Sequence, residues 1–297
     1  MLKHRMVAFL AVAAMVGGGA GLASANSIGI NFTNSNAGGA DTLTAAQTAG
    51  VLPQANWNNV SLHAAFSASA TALTDSTGAA TAASVSVVAR STGYDISSTT
   101  GTQPDASNAD QIMMNGGAYG NNGTFPNNIN GTTAGGTASG ASVVAQVSNV
   151  PYSVYNVYVY GLVDHGATTE GLAIGTGSVD PTNPTAATFN ATSTVWELTP
   201  TPNALGYIDG NSPSGFTYTP ATSTNSASPT PNADYAEFTG VTGSSFAVGA
   251  IYGTNASPAI DGIQIVNASS SIPEPATLAL AGVGAAGLLL RRKRKLA

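Results

Sequence analysis

The chain has 297 residues, of which only 7% are charged, and its formal net charge is −6. Arg90 is the one basic residue between positions 26 and 272. The same span holds thirteen acidic residues (the fourteen of the chain less Glu274), so its net charge is one minus thirteen, or −12. Such a surface repels phosphate backbones, which excludes nucleic-acid binding. Cysteine is absent, which excludes disulfides and thiolate chemistry.

The first 25 residues have the three parts of a secretory signal peptide. A basic start is followed by an apolar stretch and then by the small-residue motif Ala23-Ser24-Ala25. This order predicts a signal-peptide helix over residues 1–25 that is cut after Ala25, with Ala23 and Ala25 as the residues that fit the peptidase. An uncleaved membrane anchor is the alternative, which the glycines in the apolar stretch disfavour.

The body of the chain, residues 26–270, has the pattern of an all-β domain. Short alternating or β-branched runs are separated by Gly, Pro, Asn and Asp, and there is no sustained helical periodicity. Eight strands are expected, at 27–32, 83–90, 141–150, 154–161, 170–177, 234–240, 244–253 and 259–268.

Two long polar stretches, 95–140 and 178–232, separate the expected strands and are rich in Asn, Pro and Thr. We expect both to be loops, and loops of this length often carry binding sites. No linker of distinct composition divides the body. The sequence therefore predicts a single jelly-roll-like β-sandwich with long loops over residues 26–270 rather than two domains.

The body offers few of the groups that enzymes use. It has no lysine and two histidines, His63 and His165, which excludes Schiff-base and P-loop mechanisms, and it has no G-x-S-x-G motif. A glycosidase needs two facing carboxyl groups, whose spacing cannot be read from a sequence with so many acids. We therefore expect a body that is not an enzyme, with a polysaccharide-degrading enzyme as an alternative.

Acidic residues also raise the question of a metal ion. The segment DHGATTE (164–170) groups two acids and a histidine, but their spacing matches no zinc motif and indicates a polar loop. Asp95, Asp105 and Asp110 supply the hard oxygen ligands that calcium prefers, although no EF-hand-type loop is present. We expect no cofactor and no metal site, with bound Ca²⁺ as the alternative.

Three aromatic residues are candidates for contact with a glycan. Trp57, Trp196 and Tyr119 could stack on sugar rings if their side chains are exposed. In a sandwich, however, most Trp and Tyr side chains are buried or half-buried, and this core role is the favoured interpretation of Trp57.

The C-terminal segment, residues 271–297, has three parts. Pro273-Glu274-Pro275 is followed by a fifteen-residue apolar run (276–290) and then by five basic residues: Arg291, Arg292, Lys293, Arg294 and Lys295. As a helix the run would span about 22 Å, less than the ~30 Å hydrocarbon core, so we expect a short transmembrane helix. The basic cluster would hold this end inside and leave the body outside.

This three-part order resembles the PEP-CTERM sorting signal of bacterial proteins. The resemblance implies recognition at Pro273-Glu274-Pro275 by an exosortase-type membrane enzyme and removal of the tail. It also implies delivery to the cell envelope or to the extracellular matrix of a cell that makes exopolysaccharide, after transient anchoring in the membrane. An ordinary tail anchor is the alternative.

The body is also similar to a type of secreted domain that often precedes PEP-CTERM tails. The shared motifs are INF near the start, TAGVLPQANWNN (48–59), LTDSTGAATAASVSV (73–87), YNVYVYG (155–161) and AIDGIQIV (259–266). The resemblance implies a jelly-roll architecture like that of carbohydrate-binding modules.

These observations lead to two hypotheses of different kinds. The first is an exported, non-enzymatic surface or matrix protein that is sorted through its C-terminal signal, with exopolysaccharide as a candidate partner. The second is a carbohydrate-binding module that uses Trp57, Trp196 and the loop at 95–140.

Overall fold

The computed structural model describes residues 26–34, 41–63, 65–91, 94–95, 107–120, 141–162, 169–198, 217–253 and 258–268. All of them belong to one compact unit, residues 26–269. They form fifteen strands, one short α-helix and one 3-10 turn at Pro184–Ala186: β1 Ser27–Thr33, β2 Asn58–Ser61, β3 Ser67–Ala70, β4 Ser84–Ala89, β5 Tyr94–Asp95, α1 Ala109–Met113, β6 Gly116–Tyr119, β7 Ala141–Ser148, β8 Val154–Tyr160, β9 Thr169–Ser178, β10 Thr188–Leu198, β11 Thr230–Pro231, β12 Tyr235–Thr242, β13 Ser245–Tyr252, β14 Ala259–Ile260 and β15 Gly262–Asn267.

A five-stranded sheet has the order β12-β8-β15-β1-β2. Its strands pair antiparallel, except that β1 and β2 run parallel. In β1, Ile28, Ile30 and Phe32 alternate with smaller or polar residues and point to the core, as the two-residue period of a strand requires. Residues on both faces of β1 are buried, so a further segment covers the outer face.

A seven-stranded sheet has the order β11-β10-β9-β13-β7-β4-β3. Strand β13 lies at its centre, where Val248 is opposite Ile174 of β9 on one side and Ala145 of β7 on the other. A third, small sheet has the order β14-β6-β5. The helix α1 precedes β6 and is capped by Asn108, whose side chain accepts a hydrogen bond from the Gln111 N–H at 3.2 Å.

The two large sheets share one hydrophobic core. Val157 and Ile263 of the five-stranded sheet belong to the same buried cluster as Ala145, Leu172 and Val248 of the seven-stranded sheet. Packing of two sheets across a common apolar layer is the arrangement of a β-sandwich. The all-β prediction is confirmed, whereas the jelly-roll connectivity and the domain boundaries at 25 and 270 stay predictions.

All eight expected strands are present, with their ends shifted by one or two residues and the last divided into β14 and β15. The prediction of a loop throughout 178–232 is wrong, because the eleven-residue strand β10 lies inside it. A β-bulge between Ala191 and Ser193 interrupts its alternation, and several of its residues are polar and exposed, which made it look like a loop. The stretch 95–140 likewise contains α1 and β6.

The signal-peptide helix and the C-terminal transmembrane helix were predicted for segments outside the described residues. Among the residues that the structure describes, no helix is long and apolar enough to span a membrane.

Candidate functional site

The residues predicted to direct export and sorting lie outside the described part of the chain. They are Ala23 and Ala25 of the signal peptide, Pro273, Glu274 and Pro275 of the sorting motif, and the basic residues Arg291, Arg292, Lys293, Arg294 and Lys295. The structure therefore bears on the body alone.

Trp57 is a buried residue that directly precedes β2 of the five-stranded sheet. Its side chain is 5% exposed, and its indole N–H faces the carbonyl oxygens of Gln54, at 3.0 Å, and Ala49, at 3.3 Å. The indole ring also meets the ring of Tyr160 edge-on, with 6.2 Å between the ring centroids. Both its apolar surface and its polar atom are thus used within the protein, so Trp57 is a core residue and has no open ring face for a sugar.

The two asparagines that follow Trp57 join separate segments of the chain. Asn58 donates from its side-chain amide to the carbonyl oxygens of Gly29 (2.8 Å) and Thr74 (2.9 Å), and its Oδ1 accepts from the Thr74 N–H (2.8 Å). Asn59 makes the matching pair of bonds with the backbone of Leu43. The ANWNN stretch therefore has a structural role, because it ties the segment 43–57 to the sheet. This segment lies over the outer face of β1, and we call it the cover.

A buried tyrosine and glutamine hold the same cover in place. The Tyr160 hydroxyl accepts from the Val51 N–H at 2.9 Å and donates to Gln264 Oε1 at 2.8 Å. Gln264 Nε2 in turn donates to the Leu52 carbonyl at 2.6 Å. Burial raises the pKa of Tyr160 well above its ordinary value, so this network keeps its protons at all physiological pH values.

Trp196 lies in a different environment, on the outer face of the seven-stranded sheet. Its side chain is half-buried, and the residue pairs directly with Gly171 on the neighbouring strand β9. A Cβ atom at position 171 would lie 3.1 Å from Cζ3 of the indole, so the glycine leaves room for the ring. Trp196 packs against a buried apolar cluster that includes Ala173 and Phe189.

Tyr119, the third glycan candidate, belongs to the small sheet and is 9% exposed. Because Trp57 and Tyr119 are both buried, the three candidates do not form a shared exposed surface.

Among the described residues, four fully buried acidic side chains gather at one end of the sandwich. Glu170 at the start of β9 and Glu197 near the end of β10 are direct cross-strand partners, and both side chains are 0% exposed. Asp234, just before β12, and Asp261, between β14 and β15, are also 0% exposed and act electrostatically on Glu197. We call these four residues the acid cluster.

The carboxyl groups of Glu170 and Glu197 are adjacent, close enough for a hydrogen bond between them if one carries a proton. Glu170 Oε2 accepts from the Ala259 N–H at 2.9 Å. Burial raises the pKa of Glu170 to about 7. For Glu197, burial and the neighbouring Glu170 carboxyl both raise the pKa well above its usual range. This pair can hold a proton near neutral pH, where ordinary glutamates are ionised.

The acids and the histidine that were weighed as metal ligands are not brought together in the described part of the chain. The side chains of Asp95 and Asp105 lie outside the described part, as do Asp164 and His165, while Asp110 accepts hydrogen bonds from the Gly50 N–H (2.8 Å) and the Tyr218 hydroxyl (2.7 Å). Within the described ranges, no three His, Asp or Glu side chains are placed to hold one metal ion.

Sequence reasoning missed three members of the acid cluster. Glu170 was weighed as a metal ligand beside Asp164 and His165 and opened the expected strand 170–177. Glu197, Asp234 and Asp261 were not among the predicted site residues. For Glu197 a signal existed, because the residue stands within the run Val195-Trp196-Glu197-Leu198, where a lone carboxyl group among apolar neighbours indicates burial.

Comparison with known proteins identifies one segment of the chain. The family model described as the PEP-CTERM protein-sorting motif matches residues 271–295. A search of curated proteins finds no match, and neither does a search of solved structures.

Proposed function

We propose, on the premise that residues 271–295 are a PEP-CTERM sorting signal, that the chain is a surface or extracellular-matrix protein with a non-enzymatic β-sandwich body. The signal itself is that of an exported protein handled by an exosortase-type membrane enzyme and delivered to the cell envelope. The sorting motif is the observation that carries the proposal, and the role in a matrix goes beyond it.

The order of residues in the tail supports a stepwise delivery. After export through the N-terminal signal, the apolar run 276–290 halts in the membrane, and the basic cluster at 291–295 fixes its cytoplasmic end. Pro273-Glu274-Pro275 then lies on the outer side, where a membrane enzyme can cut it. Cleavage releases the body to the surface, and the membrane helix is a transient anchor.

Several properties of the body support a structural rather than a catalytic role. The motif around Trp57 is used to fasten a cover onto the sheet. The one described pair of adjacent carboxyl groups with raised pKa values is fully buried, so it cannot touch a polysaccharide in this conformation. With one arginine and no lysine, the body presents an acidic surface rich in hydroxyl and amide groups. Association with exopolysaccharide would then depend on hydrogen bonds more than on charge.

Cell fractionation tests the sorting step. We would replace Pro273-Glu274-Pro275 by three alanines and compare the variant with the native chain in a host that has an active exosortase. The native chain should reach the outer surface or medium, and the variant should stay with the membrane fraction. A control outside the matched segment replaces Ser269 and Ser270 by alanine and should behave as the native chain. Equal release of the native chain and the three-alanine variant would contradict the proposal.

A carbohydrate-binding body is the second candidate, and the half-exposed Trp196 is the observation that favours it. Aromatic rings on the outer face of a sheet are suited to stacking on sugars. On a glycan array, Trp196→Ala should abolish binding, whereas Ser193→Ala, an exposed change on the same strand, should leave it intact. Absence of binding by the native chain, or binding that survives Trp196→Ala, would remove this candidate.

A further inference from the structure

Glu170 and Glu197 occupy positions where two negative charges are unfavourable. They face each other directly across β9 and β10, on the same inner face as Leu172 and Val195. Directly opposed residues of an antiparallel pair have Cβ atoms about 4.5 to 5.5 Å apart, and like charges there destabilise the sheet. Full burial adds a large desolvation cost for each ionised carboxyl group.

The chain leaves space for these oxygens by placing Gly161 beside them. A Cβ atom at position 161 would lie 2.8 Å from Glu170 Oε1, 3.1 Å from Glu197 Oε1 and 3.1 Å from the Ala259 carbonyl oxygen. Three acceptor oxygens therefore converge on one point. Among the described residues, no donor reaches Glu170 Oε1 or either carboxyl oxygen of Glu197. Acceptors in such a group are stable together only if a proton lies among them.

The groups around the pair make ionisation harder still. Asp234 and Asp261 lie on the side of the five-stranded sheet, and Tyr252 of β13 is opposite Glu170 in the register. None of these is cationic. Arg90 follows β4, which is three strands away from β9 in the sheet order. The described neighbours thus supply no positive charge to balance two carboxylates.

The pair also connects different parts of the fold. Glu170 stands on the seven-stranded sheet and accepts from the Ala259 N–H, which belongs to the strand that leads into β15 of the five-stranded sheet. Asp261 continues this connection, since its N–H donates to the Tyr160 carbonyl at 2.9 Å. Repulsion that displaces Glu170 from Glu197 would therefore also break the Glu170–Ala259 hydrogen bond and loosen this connection.

We propose that Glu170 and Glu197 share a proton and act as a pH-dependent clasp, which closes this end of the sandwich when protonated and opens it when both carboxyl groups ionise. The clasp is a property of the folded body. It does not depend on how the chain is sorted or on what the body binds, so its test can fail while the proposed function stands.

The direction of the pH effect follows from the raised pKa values. A carboxyl group whose pKa is higher in the folded than in the unfolded chain stabilises the fold fully at pH values below the unfolded pKa. That stability is lost as the pH rises through the folded pKa. For Glu170 the window begins near the ordinary value of 4.5 and extends to about 7, and Glu197 extends it upward. The clasp is therefore closed in acid and opens in mild alkali.

Urea unfolding of the full chain between about pH 5 and pH 8 tests the clasp. The folding equilibrium constant of the native chain should fall about 100-fold or more across this range. Glu197→Gln should remove most of the dependence, because the glutamine amide donates permanently where the proton was shared. Glu237→Gln, the same change at an exposed position, should keep the native dependence. Equal pH dependence in the native chain and Glu197→Gln would overturn the proposal.

A second measurement covers the case in which Glu197→Gln fails to fold. Infrared spectra of the native full chain at about pH 6 should show the carbonyl band of a protonated carboxyl group, since exposed carboxyl groups are ionised there. Its absence would overturn the proposal.

Discussion

The indole ring of Trp57 lies directly against Gly29, so that a Cβ atom at position 29 would come within 2.6 Å of Trp57 Cδ2. This contact joins the outer face of β1 to the segment that covers it. It explains why a short strand that is buried on both faces carries a glycine between Ile28 and Ile30. The tryptophan and the glycine form a single packing unit.

Gly29→Ala should therefore destabilise the fold. The new methyl group would collide with Trp57 and with the Gln54 side chain, and overpacking of this kind costs about 1 to 3 kcal/mol. Urea unfolding monitored by tryptophan fluorescence would measure the change. Ser226→Ala, at an exposed position, is the control and should alter the free energy of unfolding by less than about 0.5 kcal/mol. A neutral Gly29→Ala would contradict the packing described.

Asn58→Ala should lower stability through lost hydrogen bonds rather than lost volume. The change leaves the carbonyl groups of Gly29 and Thr74 and the Thr74 N–H without their partner, at a cost of about 2 to 3 kcal/mol. The matched control is Asn183→Ala, since Asn183 is exposed and its side chain bonds only the nearby Thr185 side chain among the contacts described. Equal effects of the two changes would show that the bonds of Asn58 to Gly29 and Thr74 do not stabilise the fold.

The tyrosines provide a pH prediction in the alkaline range. Burial raises the pKa of Tyr152, Tyr155 and Tyr158 to about 12, and raises that of three others, Tyr160, Tyr218 and Tyr235. Because these folded pKa values are raised, their stabilising effect is complete below about pH 10 and is lost as the pH rises towards 12.

Spectrophotometric titration of the native chain should accordingly show that most of its ten tyrosines ionise late and together with unfolding. In urea, all should titrate near pH 10. Early ionisation of the full set in the native chain would contradict the buried positions of these rings.

Trypsin should cut the processed body at one site at most. Its one basic residue is Arg90, which is half-buried and whose backbone N–H donates to the Ser142 carbonyl at 3.0 Å. The folded body should resist cleavage, and the unfolded body should be cut after Arg90 into two fragments. Fragments cut within residues 291–295 would show that the tail is still attached.

The sequence predicted the strands well where runs of apolar, β-branched and aromatic residues are bounded by turn residues, as in β1, β8 and β13. It failed at β10, because a bulge shifts the alternation and exposed threonines and serines resemble a loop. The core role of Trp57 followed from general preferences, but its partners Gly29 and Tyr160 come from distant segments. The sequence could not supply those contacts.

The acid cluster was beyond sequence reasoning for a related reason. Its members come from four separate places in the chain, and only the register of β9 with β10 sets Glu170 against Glu197. The apolar neighbours of Glu197 indicate its burial, but they do not reveal which carboxyl groups surround it. The sorting motif is the opposite case, since its residues are contiguous and their order carries the information.

The C-terminus of the mature protein tests the central claim most directly. Intact-mass spectrometry would be carried out on the chain from cells with an active exosortase and from cells without one. We predict that the active cells yield a chain that lacks the apolar run 276–290 and the basic end, and that the inactive cells yield a chain that still ends at Ala297. A mature chain that ends at Ala297 in cells with an active exosortase would contradict the account.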